Sequence, residues 1–176
     1  MNFIEKKIKS LGGVDYINRK KSQKLRDRII ATEKPPAAVV ALIDAFGYAM
    51  FNETVGCKTI TKIPIAGKKW TEIGVIFGWG NDESGVKSNL ENLRDEDNGE
   101  GYFPLAEGYP GDMICIGLKG KHKGMVVYWC HDEGKFYTIA KSFKEFVMSW
   151  EKEKEEKKKK GRKEPTLISA WFADDF

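Results

Sequence analysis

The chain has 176 residues, with 30 Lys and Arg against 26 Asp and Glu and a formal net charge of +4. That length suits one domain that buries roughly 70% of its unfolded surface without staples. Cys57, Cys115 and Cys130 form neither a disulfide framework nor a C-x-x-C pair, and no apolar run approaches the roughly 20 residues of a membrane span. A protein of a reducing compartment is expected, located in the cytoplasm and with no membrane partner.

Charge divides the chain into three parts. Residues 1–34, a basic helical arm, carry net +6; residues 35–150, the central domain, carry net −3; residues 151–176, a charged helical extension with an apolar C-terminus, carry net +1. Within the centre, residues 82–112 hold nine acids against only Lys87 and Arg94.

In chain order, Ile4, Ile8 and Leu11 share one face of a short helix that stops before Gly12-Gly13. Asn18 to Glu33 reads as a second helix, with Leu25 and Ile29 on its apolar side. Its bases read as a solvated face: no aromatic residue lies among Arg19 to Arg28 to stack on a base, and direct nucleic-acid binding is not expected. Pro35-Pro36 starts a helix over 37–46, striped by Val39, Leu42, Ile43 and Phe46 and stopped at Gly47. Thr59–Ile65 alternates like a half-wet strand, with Pro64 assigning it to a sheet edge. Trp70–Phe77 reads as the next strand, closed by Gly78-Trp79-Gly80-Asn81. Ser88 and Glu91 have capping-box spacing and open a short helix carrying Leu90 and Leu93. Asp95–Gly101 is loop, and Tyr102–Ala106 a short strand.

The segment from Tyr109 to Trp150 organises the rest. Met113–Leu118, Met125–Cys130 and Phe136–Ala140 are apolar runs separated by Gly and charged residues, the pattern of consecutive hairpins. Ser142 and Glu145 then cap a helix with the stripe Phe143, Phe146, Val147 and Trp150. Glu151–Glu164 prolongs that helix as nearly pure Glu and Lys until Pro165. Leu167, Ile168, Trp171 and Phe172 follow, and either dock back on the protein's own core or meet a second copy in a homodimer.

The ordered set Gly111-Asp112, Cys115, Gly124, Val126-Val127-Tyr128-Trp129, His131, Ser142-Phe143 and Phe146 resembles the SUKH superfamily over roughly residues 35–150. That superfamily comprises bacterial immunity proteins and relatives of a fungal regulator of cell-wall glucan synthesis. The resemblance implies an α+β fold, expected here as a single mixed, mainly antiparallel sheet of about five or six strands with packed helices. It implies a protein toxin domain, of nuclease or deaminase type, as the partner of a stoichiometric inhibitor; an intracellular regulatory scaffold is the alternative.

Enzymatic chemistry finds little footing. His122 lies in a Lys/Gly turn, and His131 at a strand end beside Asp132 reads as a structural residue. The cysteines and histidines have no zinc spacing, Asp95-Glu96-Asp97-Asn98-Gly99 is no EF-hand loop, and Gly117, Gly120 and Gly124 join two strands instead of opening a helix. No catalytic, cofactor or metal residue is assigned. The acidic segment is either a solvated loop or the docking face for a basic partner. The residues expected to carry docking are Asp82, Glu83, Glu91, Asp95, Glu96, Asp97, Glu100, Glu107 and Asp112, with Trp79, Tyr102 and Tyr109 as aromatic anchors.

Overall fold

A computed structural model describes residues 2–154 and shows five α-helices and nine strands. Helix α1 (Phe3–Ser10) buries Ile4 and Ile8, with Leu11 buried just past its end, and α2 (Gln23–Glu33) buries Ile29. The second helix starts later than the sequence suggests, because the Ser22 hydroxyl caps the Leu25 N–H and leaves Asn18–Lys21 extended or irregular. Helix α3 (Ala37–Phe46) follows Pro36 and buries Val39, Leu42 and Ile43 as its stripe requires. All these apolar residues belong to one hydrophobic core.

The strands form three antiparallel sheets, not the single mixed sheet expected. The first pairs β1 (Val14–Tyr16) with β2 (Ala49–Phe51), two strands that the residue pattern does not reveal. The second has the order β4-β3-β9, from Lys68–Glu72, Val55–Ile63 and Trp150–Lys152. The third has the order β5-β6-β7-β8, from Tyr102–Glu107, Met113–Gly117, Val126–Cys130 and Lys135–Ala140. Strands β6 and β7 are central and buried along their whole length, which is why they read as unbroken apolar runs. Pro104 sits in β5, an outer strand, where its missing N–H costs no ladder bond.

Gly74 is where the chain changes sheet. The expected strand Trp70–Phe77 stops at Glu72. Ile73 still donates to Val55 of β3, but Gly74 donates to Glu107 and Phe77 to Leu105, both in β5. On the other side Tyr48 donates to Ile76 and Ile76 to Ala49. A lone bridge, Ile76 to Ala106, is the whole of the regular pairing here, so the sheets are stitched together without merging. Strand β3 ends at Ile63, before Pro64, and is flanked by β4 and β9, so it is not the edge strand that Pro64 suggested.

Two helix ends also differ from expectation. Helix α4 (Val86–Asp95) follows Gly85 with no side-chain cap; Ser88 lies inside it and bonds Asn81 instead of forming a box with Glu91. Helix α5 (Phe143–Met148) has the expected Ser142 cap on the Glu145 N–H at 3.1 Å, while the Glu145 carboxylate accepts from Lys141. It buries Phe143, Phe146 and Val147. The helix stops there, and Trp150 opens β9 opposite Cys57 of β3, its ring edge-on to Phe51 and Phe146. Ladder pairing and burial of the indole outweigh the helix preference of the Glu/Lys run at 151–152. The rest of the expected extension, and the apolar residues Leu167 to Phe172, lie outside the described residues.

Because Phe146 is 1% exposed and touches both Phe143 and Trp150, Phe146→Ala should cost about 3–5 kcal/mol. Ser142→Ala removes only the cap and should cost about 1 kcal/mol. Denaturant unfolding of the two variants measures the difference; equal costs would contradict the packing of α5.

Candidate functional site

Tyr109-Pro110-Gly111-Asp112 forms a tight turn, with the Asp112 N–H donating to the Tyr109 carbonyl at 2.8 Å. Proline in the second place and Gly111 at φ +88° in the third are what a type II turn demands. Gly111 has a second reason to lack a side chain: a Cβ there would lie 2.7 Å from the His131 ring. The turn delivers Asp112 to the start of β6 with its side chain 1% exposed.

Three donors meet that carboxylate. The Tyr128 hydroxyl donates to Oδ2 at 2.6 Å, the His131 backbone N–H donates to Oδ1 at 2.9 Å, and His131 Nδ1 lies 2.6 Å from Oδ1. A carboxylate so deeply buried needs such partners to offset lost hydration. Burial and the Asp112 bond push the Tyr128 hydroxyl far above its ordinary range. The hydrogen bond to Asp112, aided by Asp132 3.0 Å from Nε2, raises the His131 pKa from its ordinary 6.5.

The facing wall is built from the loop 78–85 and from α4. Asp82 holds this loop: its Oδ1 accepts the Ser84 N–H at 2.9 Å and its Oδ2 the Tyr48 hydroxyl at 2.7 Å. Tyr48 is held at φ +67°, and a Cβ on Gly80 would fall 1.8 Å from its hydroxyl oxygen. Asn89 of α4 donates to the carbonyls of Glu83 and Gly85, fixing loop to helix.

Between the walls is a cleft of about 540 Å³, floored by Phe77, Met113 and Trp129 with buried Asp112 beside them, and rimmed by Glu83, Asp95, Glu96 and Glu107. Among the described residues His131 is the one basic side chain lining it, and Arg19 pairs with Glu83 at its edge. The arrangement is a fixed acidic recess that can take a cationic group. Among the described residues no group of His, Cys, Asp and Glu is placed to hold a metal ion.

The structure thus brings together only part of the expected docking set. Glu83, Asp95, Glu96, Glu107 and Asp112 meet in the cleft, whereas Asp82 is engaged in holding its loop, Glu91 pairs with Lys87 on α4, and Asp97 and Glu100 are exposed beyond the cleft rim. Trp79 is no surface anchor: it is 3% exposed and its indole N–H donates to Asp44, which Arg26 also clamps. Tyr102 stacks on Phe136 at 3.9 Å, and Tyr109 is half-buried. Of the resemblance residues, Gly111, Asp112, Tyr128 and His131 form the turn and its network, Trp129 floors the cleft, Cys115 and Val126 are core, Gly124 is a turn residue at φ +78°, and Ser142, Phe143 and Phe146 belong to α5. The contributions of Asn89 and Tyr48 were missed; the Pro-Gly pair before Asp112 was a signal that could have marked the turn.

The family model SUKH_6, described as SMI1-KNR4 cell-wall, matches residues 47–147, more than half of the chain. No curated protein matches it. The matched span holds both cleft walls and the whole Asp112 network.

Because the folded pKa of His131 is raised, its charge stabilises the fold fully below pH about 6.5 and that contribution is lost as pH rises through the folded value. In Asp112→Asn the His131 pKa should fall back toward 6.5, and this slope of stability with pH should flatten. The variant should also lose about 1–3 kcal/mol through imperfectly paired donors. NMR titration of the imidazole and unfolding at several pH values measure both; an unmoved His131 pKa would mean that Asp112 does not set it.

Proposed function

The chain belongs to the SUKH_6 family, and on that premise we propose that it is an immunity protein, which binds a toxin domain and blocks it stoichiometrically without chemistry of its own. The observation that carries this reading is the convergence of Glu83, Asp95, Glu96 and Glu107 on one cleft, in which His131 is the one basic lining side chain among the described residues and Arg19 reaches in only to pair with Glu83 at 2.5 Å. Toxins that act on nucleic acids must present cationic surfaces to phosphate. A preformed acidic recess offers such a surface a complementary target, speeding encounter and fixing orientation. Rigidity matters here because little ordering is needed on binding, and the loop–helix bonds of Asp82 and Asn89 supply it.

The cell-wall wording of the family description favours a second reading, a regulatory scaffold that binds a cellular partner through the same face.

Where a toxin domain is encoded beside this gene, co-expression of the two should restore growth of cells producing that toxin. Replacing Asp95, Glu96 and Asp97 together by Lys should slow association several-fold at low salt while leaving the melting temperature unchanged. Absence of rescue by the wild-type protein would set aside the immunity reading in favour of the scaffold. Rescue with unaltered association kinetics in the triple variant would remove the acidic face from the interface.

A further inference from the structure

A second recess lies on the other side of the loop Asp95–Gly101. It has a volume of about 610 Å³ and is lined by Lys119, Lys121 and Lys135, with Asn98, Glu100 and Phe136 among the remaining wall residues. Lys119 and Lys121 come from the connection after β6, and Lys135 is the first residue of β8. Lys119 stands 3.8 Å from Glu100, while Lys121 and Lys135 form no ion pair among the described residues.

The two recesses are neighbours in sequence and in space. Asp95 and Glu96 line the acidic cleft, and Asn98 and Glu100, only a few residues on, line the lysine groove. Trp129 on the floor of the first packs at 4.7 Å against Phe136 in the wall of the second. One exposed loop therefore separates a concave negative surface from a concave positive one.

Resting on the immunity reading above, we propose that the docking face is bipartite: the partner is a protein that places a basic group in the acidic cleft and a neighbouring acidic group in the groove of Lys119, Lys121 and Lys135. A polypeptide fits this better than a nucleic-acid strand. Phe136 is engaged by both Tyr102 and Trp129, and Tyr102 by Phe136 and His122, so these rings are already taken up with one another and not set out as a platform for a base. Exposed Asp95, Asp97 and Glu100 would also repel a continuous run of phosphates crossing the loop. A compact carboxylate meets neither obstacle. Opposite charges side by side also fix which way round the partner binds, which one acidic patch alone does not do.

The test uses the full-length protein and three labelled peptides: a lysine block, a glutamate block, and the two blocks joined by a Gly/Ser linker. At low salt the joined peptide should bind at least about tenfold more tightly than either block, because the second contact becomes intramolecular. Lys119→Glu/Lys121→Glu/Lys135→Glu should abolish that gain and leave binding of the lysine block intact, and Asp95→Lys/Glu96→Lys should do the reverse. Circular dichroism checks that each variant is folded. A joined peptide no tighter than the lysine block overturns the bipartite face and spares the acidic cleft. A lysine block indifferent to Asp95→Lys/Glu96→Lys overturns the acidic docking reading itself. Binding of a short oligothymidylate that depends on the three lysines, with no binding of the glutamate block, makes the groove a nucleic-acid site and also overturns the proposal.

Discussion

A carboxylate with 1% of its side chain exposed would be strongly destabilising unless its oxygens were bonded, and Asp112 receives donors from Tyr128 and twice from His131. Those partners sit on β7 and just past its end, so the network ties the entrance of β6 to the exit of β7. The Pro110-Gly111 turn brings the aspartate there, and a glycine at 111 is what keeps the turn clear of the imidazole. Placing Asp112 therefore also places His131, and with it one wall of the cleft. Loss of this carboxylate would leave a buried hydroxyl without its acceptor, which costs more than the bond itself contributes.

The position of the other wall follows from how the sheets join. The chain leaves the β4-β3-β9 sheet at Gly74 and lies against β5 through residues 74–77, which brings Phe77 onto the cleft floor and starts the 78–85 loop beside it. From there Asp82, Tyr48 and Asn89 hold the loop and α4 in one arrangement. The third sheet is itself strongly curled. In a flat sheet Tyr102 on β5 and Phe136 on β8 would stand at least about 14 Å apart across two intervening strands, yet their rings stack at 3.9 Å. That curl makes the Lys119–Lys135 groove concave.

The groups with reactive potential among the described residues are bonded or buried. The histidines are both committed to neighbours, His122 to the Tyr102 hydroxyl and His131 to Asp112 and Asp132. The thiols of Cys57 and Cys115 are buried, and burial pushes their pKa upward and suppresses the thiolate. Beside them the structure exposes a set of carboxylates on a loop–helix frame next to a group of lysines. A surface of that kind selects partners by complementary field and geometry.

Much was decided locally and could be read from the sequence: the apolar stripes of α1, α3 and α5, the cap at Ser142, the buried strands β6 and β7, and the excess of acid over 82–112. Each depends on residues close together in the chain, through helical or strand periodicity or through a single side chain reaching a nearby backbone N–H. The same residues from Gly111 to Phe146 were enough to suggest the family. Tertiary structure decided the rest, because it depends on contacts between distant segments. Residues 150–152, helical by local preference, became a strand because β3 offered a ladder and a site for the Trp150 indole. Trp79 left the surface because Asp44, held in place by Arg26, stood where its N–H could bond. The acids of 82–112 look like one patch in sequence, and only folding sorted them into loop holders, cleft walls and exposed rim, since a side chain's role depends on which partner the backbone brings within about 3 Å.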